Sequence, residues 1–530
     1  MRTRINLIFI LIFLLLVVLL SKLFFIQIVR ADFYKALAQG QSVSANGEES
    51  QITARGKIFL KDKEYLAIDK KWPLVFAYPP KITKIEETAK TLSEMLSLDE
   101  AFVLKKLQKD TLYSPIKSRL SNQEVEDLKK INLAGIYLES EQGRYYPQES
   151  LASQVIGFLG AEKKGQYGLE EYYNEELANN SDIVLTLDYN IQFTAEKLLQ
   201  KAKEDLAIEG GQIIVMEPHS GEIIALANFP NFNPNEYIEY ATADNLEIFQ
   251  NGATQKLFEP GSIFKPITMA IGLEEGKITP QTTYIDEGIV KIGGWSITNY
   301  NFHVWGEQTM TQVLENSINT GAVFVEKQLP HKVFLDYLTK FGIFEPTGID
   351  LPETYSENKE FKQGYEINFA TASFGQGIEM TPIQLVKAIG TIANNGKLVT
   401  PHLINDPSYS NPEEERQVIS YKTASQLTAM LVSSVENGYA EKAKIPGYYI
   451  AGKTGTSNIP FSVLGIDKSG YSDKTWQSFV GFAPAFEPKF LVLIKLDNPM
   501  AQSAGASTTL VAHDLIKYII DYYQIPHDYE

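Results

Sequence analysis

Between Ile5 and Val29 the chain is apolar apart from Asn6, Ser21, Lys22 and Gln27. No other stretch limits the fold so strongly. At about 1.5 Å per residue some 20 to 25 helical residues cross a bilayer, and in hydrocarbon such a helix satisfies its own backbone groups. Arg2 and Arg4 favour a cytoplasmic N-terminus, while Lys22 and Arg30 on the other side weaken that asymmetry. A cleaved signal peptide is the competing reading, because Ala36-Leu37-Ala38 has the small-residue pattern. The apolar run is too long for that, and the site lies well beyond its end. Residues 1–4 therefore read as a cytoplasmic tail, 5–29 as a single-pass anchor, and everything after as lying outside the membrane.

With 530 residues the chain should divide into three or four units of about 150 residues each, and 44% hydrophobic content is ample for real cores. A net charge of −17 without any basic run argues against nucleic acid, since phosphate binding needs clustered cations. Zero cysteines exclude disulfides, thiol catalysis, a Cys-ligated zinc and a lipid-anchored cysteine. The six histidines are scattered without metal-ligand spacing, so neither metal nor cofactor is expected.

Ala31 to Gln51 reads as a stalk, helical at first and then polar. Beyond Arg55-Gly56-Lys57-Ile58 come short strands, then a helix through Ile85, Ala89, Leu92 and Leu96, and another opening on the capping pattern Ser121-x-x-Glu124. No catalytic constellation falls here, and roughly 30–180 reads as a non-catalytic pedestal. Asp188 can cap a helix carrying Ile191, Ala195, Leu198, Leu199 and Ala202, ended by Gly210-Gly211. Gln212–Met216 and Glu222–Ala227 flank the turn Pro218-His219-Ser220-Gly221 as a hairpin. From Ser262 to about Tyr439 the pattern is mainly helical. Strands return at Tyr448–Lys453, Thr475–Phe482 and Phe490–Leu496, and a final helix covers Thr508 to Tyr523. This predicts an α+β chain in which one sheet is interrupted by an all-helical lobe, with a cleft between them.

Three stretches inside that pattern carry chemistry. Glu259-Pro260-Gly261-Ser262-Ile263-Phe264-Lys265-Pro266 opens an apolar helix that stops near Gly276. A serine capping the first turn would sit among unpaired N–H groups, and a lysine three residues on shares its helix face; desolvated and neutral, that lysine is a competent base. A mere cap and a mere surface charge would give the same pattern, and Pro266 biases Lys265 towards extended backbone. Ser317-Ile318-Asn319 follows 52 residues after Lys265, inside the helical insert. Lys453-Thr454-Gly455-Thr456 comes 136 residues after Ser317, at the end of a strand. Each alone is weak; their order and spacing within a sheet–helix–sheet pattern is specific.

In these three motifs the sequence resembles the penicillin-binding proteins and serine β-lactamases. Phe258 to Pro266, Ser373-Phe374-Gly375-Gln376-Gly377 with Thr381-Pro382-Ile383-Gln384-Leu385, Ala393-Asn394-Asn395-Gly396 and Ser478-Phe479-Val480-Gly481-Phe482-Ala483-Pro484 are similar to the transpeptidase domain of the monofunctional class B branch. Arg55-Gly56, Arg144 to Pro147 and Gly168-Leu169-Glu170 resemble that branch's pedestal. Two departures stand out: Lys61-Asp62-Lys63-Glu64 replaces an Asp-Arg-Asn-Gly turn, and Ile318 replaces a serine.

The resemblance implies an α+β architecture of one N-terminal transmembrane helix, an elongated α/β pedestal (30–180) and a transpeptidase domain (181–530) of antiparallel sheet, flanking helices and all-helical lobe. It implies that Ser262 attacks the carbonyl between two D-alanines of a peptidoglycan stem peptide, with Lys265 taking its proton. Ser317, assisted by Lys453, relays protons to the leaving and attacking amines, and Asn319 orients Lys265. Thr454 and Thr456, with Gly455 between them, hold the substrate carboxylate, and the backbone N–H groups of Ser262 and Thr456 form the oxyanion hole. The Lys453 strand is expected to take the substrate as an added strand, and β-lactam antibiotics to acylate Ser262. Implied partners are the membrane, a polytopic membrane glycan polymerase and the proteins of a division or elongation complex. The septal type is favoured over the elongation type by residues 478–484 and the short pedestal. A membrane-anchored β-lactamase and a β-lactam sensor or inert scaffold are the rivals; bifunctional synthesis is not expected.

Overall fold

The computed structural model describes residues 2–31, 34, 35, 38, 54–242, 245–406 and 416–530. Arg2–Phe24 is an α-helix continued by a π-turn at Phe25–Val29, and Phe9–Val29 is long and apolar enough to cross a membrane, with a mean hydropathy of 3.1. The expected stalk from Ala31 to Gln51 lies almost wholly outside the described residues.

The described residues divide into two compact units, one within Met1–Arg55 and Asp69–Tyr145, the other within Gly56–Ile68 and Tyr146–Glu530. In the first, helix Ile85–Leu96 buries Ala89, Leu92 and Leu96 as the spacing predicts. Helix Asn122–Ile131 opens on a complete capping box, with Glu124 N donating to Ser121 Oγ and Ser121 N to the Glu124 carboxylate. A further helix, Glu100–Leu107 capped by Asp99, escapes sequence reading because two turns carry too few apolar repeats to define a face. Its Val103 and Leu107 join Leu92, Leu96 and Ile116 in a small core.

The second unit is built on a five-stranded antiparallel sheet, ordered Ala451–Pro460, Tyr471–Ala483, Phe490–Asp497, Gly210–Met216, Ile223–Phe229. The two early strands thus pair with the three late ones, as expected. Strand periodicity divides the side chains: Ile213, Val215 and Val492 pack with Leu199 and Leu515 of helices Tyr189–Leu206 and Thr508–Tyr523, whereas Ile214, Met216 and Leu493 face Ile267 and Ile389 of helices Lys265–Glu274 and Pro382–Ala393. Both faces are buried, which is why these strands read as continuous apolar runs.

Several expectations are corrected. The Asp188-capped helix ends at Leu206, with Ala207 left-handed at φ 52°, and Gly210-Gly211 begins the next strand, where sheet pairing takes precedence over glycine as a helix stop. Lys453 lies near the start of its strand, because pairing with Tyr471–Ala483 carries the strand on through Thr454–Pro460. The lobe is not all helical: Ile289–Ile292 and Trp295–Thr298 form a hairpin across Gly293-Gly294, and Thr283–Asp286 pairs with Gly306–Thr309. Ser262 is not a cap; it lies within a 3₁₀ turn, Gly261–Phe264, that runs directly into the Lys265 helix.

That turn is seated against Gly375. Gly261 N donates to Gly375 O at 2.9 Å, and Gly375 has φ +80°, with a Cβ placed only 2.2 Å from Gly261 O. Both space and backbone angle exclude a side chain there. Gly375→Ala should therefore lower stability by about 2 kcal/mol or more, checked by thermal melting; a variant with wild-type melting would refute the seat.

Candidate active site

In a 3₁₀ turn, side chains at i and i+3 eclipse. Lys265 N bonds Ser262 O to close such a turn, so the two side chains stack and Lys265 Nζ lies 3.0 Å from Ser262 Oγ. The apolar helix behind, with Ile267, Met269, Ala270 and Ile271 all buried, pulls Lys265 out of water. Its ammonium donates to Ser317 O at 2.5 Å, Asn319 Oδ1 at 2.8 Å and Ser317 Oγ at 3.3 Å.

Ser317 has a specific backbone reason for being where it is. Ser317 N bonds Leu314 O and Ile318 N bonds Val313 O, closing the helix Met310–Glu315 in a Schellman motif. Ser317 is the left-handed residue of that motif, at φ 52°, a place usually held by glycine. The strain is of order 1 kcal/mol and projects the carbonyl and hydroxyl of Ser317 to Lys265. Asn319 then begins the helix Asn319–Lys327.

Lys453 Nζ completes the group, donating to Ser317 Oγ at 2.9 Å and Thr454 O at 3.1 Å. Gly455 is required because a Cβ would lie 2.8 Å from Ser478 Oγ and 3.0 Å from Pro260 O, so the strand passes close against the Ser262 turn. Ser457 Oγ fastens the two by donating to Glu259 O at 2.7 Å. Thr454, Gly455 and Thr456 line a cavity of about 540 Å³ with Ser262, Ser317 and Asn319, and the Thr456 hydroxyl accepts a bond from Ala504 N. All eight residues singled out from the sequence are thus brought together, Lys265 and Lys453 buried behind the wall and the other six on it. The cavity also exposes Trp295, Tyr300, Tyr439, Tyr471, Ser503 and Gly505, which no local motif marks because only the fold gathers them.

Burial pushes Lys265 well below the ordinary lysine range, and the charge of Lys453 pushes it further. Burial alone brings Lys453 down to about 7. A neutral Lys265 reverses its contact with Ser262: the hydroxyl donates and the amine lone pair accepts.

Residues 211–517 match the penicillin binding protein transpeptidase domain, and residues 50–185 the penicillin-binding protein dimerisation domain. The chain belongs to the penicillin-binding protein transpeptidases. Stage V sporulation protein D of Bacillus subtilis is 30% identical over 488 residues, covering 84% of this chain and 74% of the relative. A peptidoglycan D,D-transpeptidase FtsI homolog of Mesostigma viride is 29% identical, with 96% of this chain and 94% of the relative covered. Among solved structures, penicillin-binding protein 3 of Mycobacterium tuberculosis complexed with aztreonam superposes with a TM-score of 0.70 at 26% identity, covering 90% of this chain and 98% of that one. This penicillin-binding protein is accordingly a serine-type transpeptidase of the class B kind.

Two outcomes follow from the geometry. Ser317→Gly should be about 1 kcal/mol more stable than Ser317→Ala, both variants having lost the hydroxyl; equal unfolding free energies would remove the strain. With Lys265 as the expected base, the rate of acylation should fall as pH drops through the depressed lysine pKa. Lys453→Met removes a repelling charge, raises the Lys265 pKa and should shift that acid limb to higher pH, read from acylation rates between about pH 5 and pH 9.

Proposed function

We propose that this transpeptidase cross-links peptidoglycan through an acyl-enzyme on Ser262. The observation that carries the reading is the buried amine of Lys265, 3.0 Å from Ser262 Oγ and held by both polar members of the Ser317–Asn319 motif. Ser262 Oγ bonds to the carbonyl carbon of the penultimate D-alanine while its proton passes to Lys265. The carbonyl oxygen becomes an oxyanion, taken by the backbone N–H groups of Ser262 and Thr456, each such donor worth around 3 kcal/mol. When the C–N bond breaks, the leaving D-alanine nitrogen takes a proton by way of Ser317, which Lys453 touches at 2.9 Å. An amine of a second stem peptide then attacks the ester, loses its proton along the same route and restores Ser262. Thr454 and Thr456 hold the terminal carboxylate.

The Lys453 strand is the outermost of its sheet, which suits a substrate that adds as a further strand. A β-lactam presents the same reacting carbonyl and acylates the same oxygen.

The finer assignments complete the proposal. The enzyme sits in the cytoplasmic membrane through residues 5–29, tail 1–4 inside and catalytic domain outside. Residues 30–180 act as pedestal and 181–530 as transpeptidase domain. Its partner is a polytopic membrane glycan polymerase within a division complex, the septal assignment drawing on residues 478–484.

The test is to incubate the purified full chain with a fluorescent penicillin and locate the label by mass spectrometry, with Ser262→Ala as control. Stable label on Ser262, absent from the variant, is expected. Intact drug with folded, unlabelled protein would overturn the reading, and rapid release of hydrolysed drug would replace it with a β-lactamase.

A further inference from the structure

We infer that Asp286 is a positioning residue for acylation, acting through Asn299 and Thr320 on the Asn319 amide that holds Lys265. The inference rests on the Ser262–Lys265 reading above. Asp286 ends the strand Thr283–Asp286 and is 1% exposed, and among the described residues no basic side chain pairs with it. Its carboxylate instead collects donors: Thr320 Oγ1 at 2.5 Å, Gly288 N at 3.0 Å and Asn299 Nδ2 at 3.0 Å on Oδ1, and Trp305 N and Asn299 Nδ2, both at 2.8 Å, on Oδ2. Burial works to raise this carboxyl, and the Thr320 hydroxyl, the Trp305 and Gly288 N–H groups and the Asn299 amide outweigh it, leaving the pKa below the ordinary value.

The donors lead to the reacting serine. Asn299 has its amide end occupied by Asp286, so its Oδ1 must face the other way, where it accepts from Asn319 N at 3.1 Å and Thr320 N at 3.2 Å. Those are the first two residues of helix Asn319–Lys327, whose N–H groups have no partner within the helix. With that end fixed, Asn319 Nδ2 donates to Thr298 O at 3.0 Å, leaving only Oδ1 to meet Lys265 Nζ at 2.8 Å. A fully buried carboxylate is costly unless hydrogen-bonded, and here its bonds to Thr320 and Asn299 bear on the orientation of one amide. Thr298 and Asn299 themselves line the active-site cavity. The two small two-stranded sheets thus tie the lip of the cavity to the base behind Ser262.

The experiment is acylation of the full chain by a fluorescent penicillin over a concentration series, separating the limiting rate from the non-covalent dissociation constant, for wild type and Asp286→Asn. The limiting rate should fall by at least about tenfold with the dissociation constant within about twofold of wild type. Losing the aligned acceptor also disfavours the Lys265 ammonium, so the acid limb should move to lower pH. A merely structural aspartate would lower the melting temperature but leave the limiting rate of the folded protein and its pH profile in place, and that result overturns the inference. If Asp286→Asn does not fold, Thr320→Val and Thr320→Ser decide: a slow valine variant with the rate recovered in serine supports it, and a valine variant at wild-type rate refutes it. Failure of the wild type to acylate would instead sink the reading of Ser262 and Lys265.

Discussion

The active site depends on keeping the Lys265 amine out of water. Water would hold that amine charged, and in the proposed mechanism Lys265 must be neutral to take the Ser262 proton. The apolar helix behind it and the 3₁₀ turn that stacks it on Ser262 serve that condition, while the Ser317 and Asn319 oxygens around Nζ hold the amine in place. Lys453, 2.9 Å from the Ser317 hydroxyl, adds repulsion that further disfavours the second charge. Desolvating two lysines and holding Ser317 left-handed cost folding stability, offset by the large core around them; strain of this kind is a common property of reacting sites.

Close backbone approach is the second requirement. Gly455 lets the outer strand reach Pro260, and Gly375 lets a loop from the helical lobe hold Gly261, so the Ser262 turn is gripped from two sides. Sheet and lobe meet there, and the cavity opens between them. The small two-stranded sheets around Asp286 supply a third hold, on the Asn319 end of the constellation.

Much of this was legible in the residues. The capping box at Ser121, the helix through Leu92 and Leu96, the Asp188 cap and the final helix Thr508–Tyr523 follow from local rules, and the structure has them in place. The errors share one cause. Local neighbours mislead at Gly210-Gly211, the Lys453 strand and the Ser262 turn, because their conformation is set by partners far along the chain: Asp497 and Leu496, the strand Tyr471–Ala483, and Gly375. The Gly293-Gly294 pair is a turn signal in its own right, obscured by the helical pattern on either side.

By itself the sequence determined that the chain carries a span-length apolar helix, that it alternates sheet and helical segments, and that a serine, a lysine, a Ser-x-Asn and a Lys-Thr-Gly follow one another at set distances. Those properties are written in composition, periodicity and spacing. The fold alone decided that Lys265 is buried, that Ser317 takes a strained backbone, and which side chains from Trp295 to Gly505 line the cavity. The reason is that desolvation and hydrogen-bond geometry depend on which distant segments pack together, and no local pattern encodes that.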